Sequence, residues 1–428
     1  MTAPASTKAV ALALEHDLHD WVLQDFKPAY GQLGGRFASN PRWRAVRDAG
    51  TTLWLDTGDL DGIRKLWTRE FSALTTNNTL LNKEVQRGIY DDLVKRTAAR
   101  IRKLVPRISE PDLVLEIAFV LNAYHGLRLV ENYDAYVSVE EHTDLAHDVE
   151  LSVLYAKRFH AICPERFIVK LPLTPAGLLG MYKLGKLGIP VNFTLGFSAR
   201  QNHLAARLGN PRWVNVFLGR LNSMVADQKF GSGDGVGEKA TAASQESIEA
   251  LRREGLVHTH QIAASMRSGD QVWSLAGVDV MTIPLAAAKE YQDAPRAAVS
   301  GRGPVSKDIV PGVEPAALRA LRFDRLWDVP KQFRETCSRL AERDLDSMSA
   351  DELVEHLGRH GAGDLFPDWS EAELDAIRAD GKIPKIERWR PEIESGAIGL
   401  DTLFNRSGLE SFAQDQKALD DRVRGLIG

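Results

Sequence analysis

A single lysine, Lys170, stands in the middle of the apolar run FIVKLP (167–172). A buried strand has no structural use for an ammonium, and loss of water favours the neutral, nucleophilic amine. Other polar residues sit near the ends of similar runs. They are Asp56 in TTLWLDTG (51–58), Asn77 in ALTTN (73–77) and Glu140 in AYVSVEE (135–141). Further along come Asn192 and Thr194 in PVNFTLGF (190–197), Arg220 in WVNVFLGRL (213–221) and Ser265 in LVHTHQIAAS (256–265). Asn192 and Thr194 are two residues apart and share one face of their strand. A neutral amine beside a carboxylate from another strand end can add to a carbonyl and lose water to give a Schiff base. The carboxylate then moves the protons.

Each feature also has a plainer explanation. A lone strand lysine is usually an edge residue that blocks strand pairing. Carboxylates after strands are often helix caps, and Asp59 reads as one. GSGDGVGEK (231–239) lacks the Gly-Lys-Ser/Thr ending of a phosphate loop and follows no strand, so it reads as a flexible loop. HTHQ (258–261) alternates two histidines on one strand face without a carboxylate at ligand spacing, which predicts core packing rather than a metal site.

The elements that must position these residues alternate. With VDVMTIP (278–284) there are eight strand-like runs, separated by helical stretches and by no hairpin turn. Helical regions are expected at about 83–105, at 111–130 and from Asp144 onward. Thr174 with Pro175, and Ser198, read as helix starts, and Gly209 as a helix stop. Eight strand–helix units over some 250 residues predict an α/β fold, a closed parallel (β/α)8 TIM barrel. A closed barrel has no edge strand, which removes the plain explanation of Lys170. The rival doubly wound sheet lacks its G-x-G-x-x-G after the first strand. Residues 1–45 read as an N-terminal helical arm, 46–300 as the barrel and 301–428 as an all-helical extension. Ser349 with Glu352, and Ser370 with Glu373, form capping-box patterns, and the last helix is expected to pack on the barrel.

Bulk properties narrow the function classes. The 428 residues are 44% hydrophobic, and 54 Lys+Arg against 58 Asp+Glu give a formal charge of −4. Such balance offers no field for nucleic acid or anionic lipid. Two distant cysteines, Cys163 and Cys337, suggest a reducing, cytoplasmic setting without disulfides. No uninterrupted apolar run reaches bilayer length, so no membrane partner is expected.

Several segments in order carry a family likeness: LDTGDL (55–60), LTTNNTLLNKE (74–84), VSVEEHTDLAHD (137–148), FIVKLPLT (167–174) and LGIPVNFTLGFS (187–198). VFLGRL (216–221), AASMRS (263–268), LAGVDVMTIP (275–284) and FAQDQKALDDRV (412–423) continue it. Over about 55–285 and the last helix, the chain resembles the transaldolases, which are Schiff-base barrels of the class I aldolase type. The resemblance implies that Lys170 forms the Schiff base with a ketose phosphate and that Asp56 takes the C4 hydroxyl proton. It gives Glu140 and Thr194 a water for proton transfer, and Asn77 and Asn192 the donor hydroxyls and three-carbon intermediate. Arg220, Ser265 and Arg267 would hold the sugar phosphate. No metal or organic cofactor is called for, because the lysine is the electron sink.

The chain departs from the family pattern in places. Asn78 stands where the family has proline, and Asn215-Val216 replaces a serine-proline before the retained Phe217. Asn215 and Phe217 then count as substrate-binding positions near the three-carbon end. The N-terminal arm and residues 300–405 have no counterpart in short family members. Expected partners are sugar phosphates and, with the assembly left open, a second copy of the chain in a homodimer. Two other readings stay open: Schiff-base cleavage of fructose 6-phosphate or a specialised sugar, and a barrel with a mainly regulatory or interaction role.

Overall fold

The computed structural model describes residues 6–295, 299, 305 and 308–428. Each apolar run forms a strand: β1 (Thr52–Asp56), β2 (Phe71–Thr75), β3 (Tyr136–Glu140), β4 (Phe167–Pro172), β5 (Val191–Thr194), β6 (Trp213–Phe217), β7 (His260–Ala264) and β8 (Val280–Pro284). The strands pair in parallel in chain order, and β8 closes on β1. This is a (β/α)8 barrel, and closure excludes the open doubly wound sheet. No strand is left as an edge, so Lys170 cannot be an edge residue, and β4 is buried along its whole length. Pairing register sets Glu140 opposite Lys170, and Lys170 opposite Asn192, in one row across three strands.

Local signals account for most helix boundaries. Asp59, Thr174 and Ser198 each accept a backbone N–H of the first helical turn. The helical region expected at 83–105 is two helices, Asn78–Gln86 and Asp91–Leu104, parted near Gly88 (φ 78°). The helix expected from Asp144 begins at Val149, because Asp148 caps Leu151; residues Thr143–Leu145 make only one 3-10 turn. Gly209 ends its helix, but the left-handed residue is Asn210 (φ 47°).

Two other expectations are corrected. The stretch 231–239 is no flexible loop: the Gly233 N–H donates to the Gly312 carbonyl (2.9 Å), the Gly312 N–H to the Asp234 carbonyl (2.7 Å), and an 18-residue helix starts at Val236. The HTHQ histidines are not core residues. His258 is exposed before β7, and His260 lies 3.5 Å from the Asp279 carboxylate at the strand's entrance.

The 24-residue helix Glu110–Tyr133 is apolar and long enough to cross a bilayer, yet 83% of its most apolar window is buried in the fold. Its Glu116 accepts from Arg158 (2.9 and 2.6 Å) and from the Tyr155 hydroxyl (2.6 Å) inside the protein. The N-terminal helix Thr7–Leu23 packs on it and on Val149–Ile162, burying Val10, Leu14, Leu18 and Val22. Cys163 and Cys337 are buried free thiols.

Beyond β8 the regular elements among the described residues are all helices, and both predicted capping boxes are present. The C-terminal helix, Leu400–Ile427, packs on Asn78–Gln86, Asp91–Leu104 and Glu110–Tyr133. Its first turn is fixed by a buried ionic cluster. Arg200, just past β5, meets Asp401 through two nitrogens (2.8 and 2.7 Å) and Asp364 through a third (2.8 Å). The Ser198 hydroxyl also donates to Asp401 (2.6 Å). Removing one partner of such a cluster leaves a buried charge uncompensated. Asp401→Ala should lower the unfolding free energy in urea by about 3 kcal/mol. Lys186→Ala, which breaks an exposed pair with Asp346, should change it by less than about 1 kcal/mol.

Candidate active site

The C-terminal ends of the strands enclose a cavity of ≈ 380 Å3. Lining it are Asp56, Asn77, Lys170, Asn192, Asn215, Phe217, Arg220, Ser265 and Arg267. Glu140 and Thr194 do not line the cavity; both are buried behind it.

Lys170 is 4% exposed. Its Nζ donates to the Thr76 carbonyl (3.2 Å), lies 3.6 Å from Glu140 Oε2 and sits 5.7 Å from the centre of the Phe412 ring. Glu140 is held in turn by the Asn78 backbone N–H (3.2 Å). Asp56 accepts from the Thr75 hydroxyl (2.8 Å), and Thr75 meets Thr282 (2.6 Å). Burial at the barrel mouth raises the Asp56 carboxyl above its ordinary range, against the pull of Lys170, Thr75, Arg267 and Arg220. Glu140 is raised for the same reason, with Lys170 as the main opposing charge. An amine 3.6 Å from one buried carboxyl, with a second carboxyl lining the same cavity, is an arrangement that can condense with a carbonyl.

The amides have defined loads. Asn77 caps the following helix, its Oδ1 accepting from the Leu80 N–H (2.8 Å), and it also lines the cavity. Asn192 donates to Ser138 (3.1 Å) and accepts from Asn215 (3.3 Å), which also donates to the Phe193 carbonyl (3.1 Å). The buried Thr194 hydroxyl and both side-chain polar atoms of Asn78 have no partner among the described residues. Leu195, directly after Thr194, is left-handed (φ 67°), and its carbonyl accepts from Asn405 of the C-terminal helix (3.0 Å). That helix therefore holds a strained turn beside the site.

In the same cavity Arg220 is buried, with its guanidinium near the rings of Phe217 (5.1 Å) and Phe412 (5.6 Å). Its Nη1 has no partner among the described residues. Burial first, then the nearby Arg267, pull its guanidinium down to about 10. Two glycines permit this packing. A Cβ on Gly219 would fall 2.1 Å from the Ser265 carbonyl oxygen and 2.7 Å from Arg267 Cγ. One on Gly408 would fall 2.8 Å from Leu195 Cδ2 and 3.2 Å from Arg220 Nη1. Ser265 is also left-handed (φ 61°).

Residue-by-residue reading missed Thr75 and Thr282, which the strand-end rule could have found. It also missed Lys83 and Lys382, together with Ser411, Phe412 and Asp415 on the C-terminal helix. Phe412 and Asp415 lie in a segment singled out by the resemblance, whereas Lys382 carries no sequence signal. Among the described residues no group of three or more His, Cys, Asp or Glu is placed to hold a metal.

Behind the site, burial pushes the Glu141 carboxyl up to about 8, opposed by the Ser152 hydroxyl and reinforced by Glu140. A raised folded-state value means that the folded protein binds the extra proton between the ordinary value, 4.5, and about 8. The associated stability is complete below the lower limit and lost as pH rises through the upper one. Glu141→Gln should therefore be more stable than the parent at pH 8, by on the order of 3 kcal/mol. The gap should close at pH 4.5, as read by urea unfolding at both pH values.

Comparison with known proteins agrees with this geometry. Residues 53–345 match the family model of transaldolase/fructose-6-phosphate aldolase. The chain is 30% identical over 234 residues to a protein named transaldolase from Xanthomonas euvesicatoria pv. vesicatoria, covering 53% of this chain and 71% of that one. A transaldolase of Xanthomonas campestris pv. campestris is 30% identical over 254 residues, covering 58% and 76%. One from Prochlorococcus marinus subsp. pastoris is 29% identical over 241 residues, covering 54% and 71%. The matched residues span all eight strands and the lysine row at their ends, and the chain belongs to the transaldolase/fructose-6-phosphate aldolase family.

Proposed function

We propose that the protein is a transaldolase of the pentose phosphate pathway, acting in the cytoplasm on phosphorylated sugars, with residues 46–300 as its catalytic barrel. The observation that carries this reading is Lys170: buried, 3.6 Å from Glu140, and sharing one cavity with Asp56, Arg220 and Arg267. Arginine forks suit a phosphate by paired hydrogen bonds.

The Lys170 amine adds to the C2 carbonyl of fructose 6-phosphate or sedoheptulose 7-phosphate. Glu140, with a water held by Thr194, passes the protons as the carbinolamine loses water to give an iminium. Asp56 takes the C4 hydroxyl proton, the C3–C4 bond breaks, and its electron pair flows into the iminium to give an enamine. The shortened aldose phosphate leaves. Asn77, Asn192 and Asn215 hold the three-carbon unit while the Phe412 side of the C-terminal helix limits water. An aldose phosphate such as glyceraldehyde 3-phosphate then accepts the unit: its carbonyl carbon bonds to C3, and Asp56 returns the proton to the new alkoxide. Water releases the product and restores the amine.

Borohydride added during turnover of fructose 6-phosphate should reduce the iminium and leave a three-carbon adduct on the Lys170 peptide, found by mass spectrometry. Lys170→Ala should form no adduct and lose at least roughly a thousandfold in kcat, as expected when a covalent nucleophile is removed. An adduct on another residue, or none, contradicts the assignment.

A further inference from the structure

The rim of the cavity carries a cation outside the residues that match the family model, 53–345. Lys382 follows Gly381 (φ 76°), which ends the helix Glu371–Asp380, and it lines the same cavity as Arg220, Arg267 and Lys83. Its turn is pinned from two sides. Gln228, directly after the helix that bears Arg220 (Leu218–Asp227), donates to the Pro384 carbonyl (2.8 Å) and accepts from the Ile386 N–H (2.8 Å). On the other side Arg378 meets Glu410 of the C-terminal helix (2.8 Å), and Gln414 donates to the Arg378 carbonyl (3.1 Å).

The neighbouring Lys385 is directed at Asp380 (3.9 Å), whereas Lys382 has no hydrogen-bond or ion-pair partner among the described residues. Lys382 is exposed at the rim, and partial loss of water there, then repulsion from Arg267, Arg220 and Lys83, lower its ammonium from the ordinary lysine range, with Asp415 pulling the other way. Arg220 completes the picture from inside. It is 6% exposed and has an unpartnered nitrogen among the described residues. Five basic side chains, Lys83, Lys170, Arg220, Arg267 and Lys382, line the cavity against two acidic ones, Asp56 and Asp415, and a phosphate monoester, with close to two negative charges and three acceptor oxygens at neutral pH, fits that excess.

We propose that Lys382 is a phosphate-binding residue contributed by the helical extension, closing over a dianionic phosphate group held from below by Arg220 and Arg267. That the phosphate belongs to a sugar rests on the function proposed above; the anion site itself does not. The extension thus acts as a rim of the binding site, and Gln228 is the positioning residue that ties this rim to the barrel helix bearing Arg220.

Calorimetric titration of the full chain with inorganic phosphate at low salt tests this independently of turnover. Lys382→Ala should weaken phosphate binding about tenfold. Lys382→Arg should keep most of the affinity, and Gln228→Ala should fall between. Lys385→Ala, an exposed lysine on the same turn, should bind as the parent does. Arg220→Met should abolish binding, which places the probe in this cavity. Parent-like affinity in Lys382→Ala would overturn the proposal, as would unchanged binding in Arg220→Met or no binding by the parent chain. Phosphate binding that follows this pattern, in a protein that forms no borohydride adduct, would leave the anion site standing and remove the transfer reaction.

Discussion

Burial of one amine against a carboxylate governs the rest of the molecule. Lys170 has almost no contact with solvent and lies 3.6 Å from Glu140, an arrangement tolerable only where every neighbouring group is fixed. Closure of the barrel supplies that rigidity: register puts Glu140, Lys170 and Asn192 in one row. The helix after β2 then donates its Asn78 N–H to Glu140. The same enclosure that holds the pair raises the Asp56 and Glu140 carboxyls above their ordinary range, with Lys170 as the main opposing charge in each case.

The barrel does not finish the site alone. Phe412 faces both Lys170 and Arg220, Asn405 supports the left-handed Leu195, and Gly408 lets the C-terminal helix approach Arg220 closely. That helix is anchored at its start by the buried Arg200–Asp401–Asp364 cluster. The cavity at one end of the barrel and an ionic cluster at the start of the last helix are therefore mechanically joined.

The eight strands were legible because each is a short, mostly apolar run, and parallel strands buried on both faces have that pattern. Lys170, Asp56 and Arg220 were legible for the same reason: each polar group interrupts or closes such a run. Less visible were features set by tertiary contact. Glycine spacing in 231–239 suggests a loose loop, but backbone hydrogen bonds from Gly312 pin it. Alternation in HTHQ suggests a strand face, but the strand begins only at His260. Lys382 is one exposed lysine on a helical surface until the fold brings it to the cavity rim, and no local pattern encodes that meeting. Asn78 and Asn215 were noticed only as departures from a family pattern, and structure adds that the first is a buried amide without a partner among the described residues and the second is locked to Asn192.

The proposed transfer requires that an enamine on Lys170 wait for an aldehyde rather than be hydrolysed. Incubation with fructose 6-phosphate and erythrose 4-phosphate, followed by quantification of sugars and free dihydroxyacetone, addresses that directly. Sedoheptulose 7-phosphate and glyceraldehyde 3-phosphate should appear in equal amounts, with dihydroxyacetone at the background level. Dihydroxyacetone released from fructose 6-phosphate at the same rate with or without erythrose 4-phosphate would contradict a transferase and leave an aldolase.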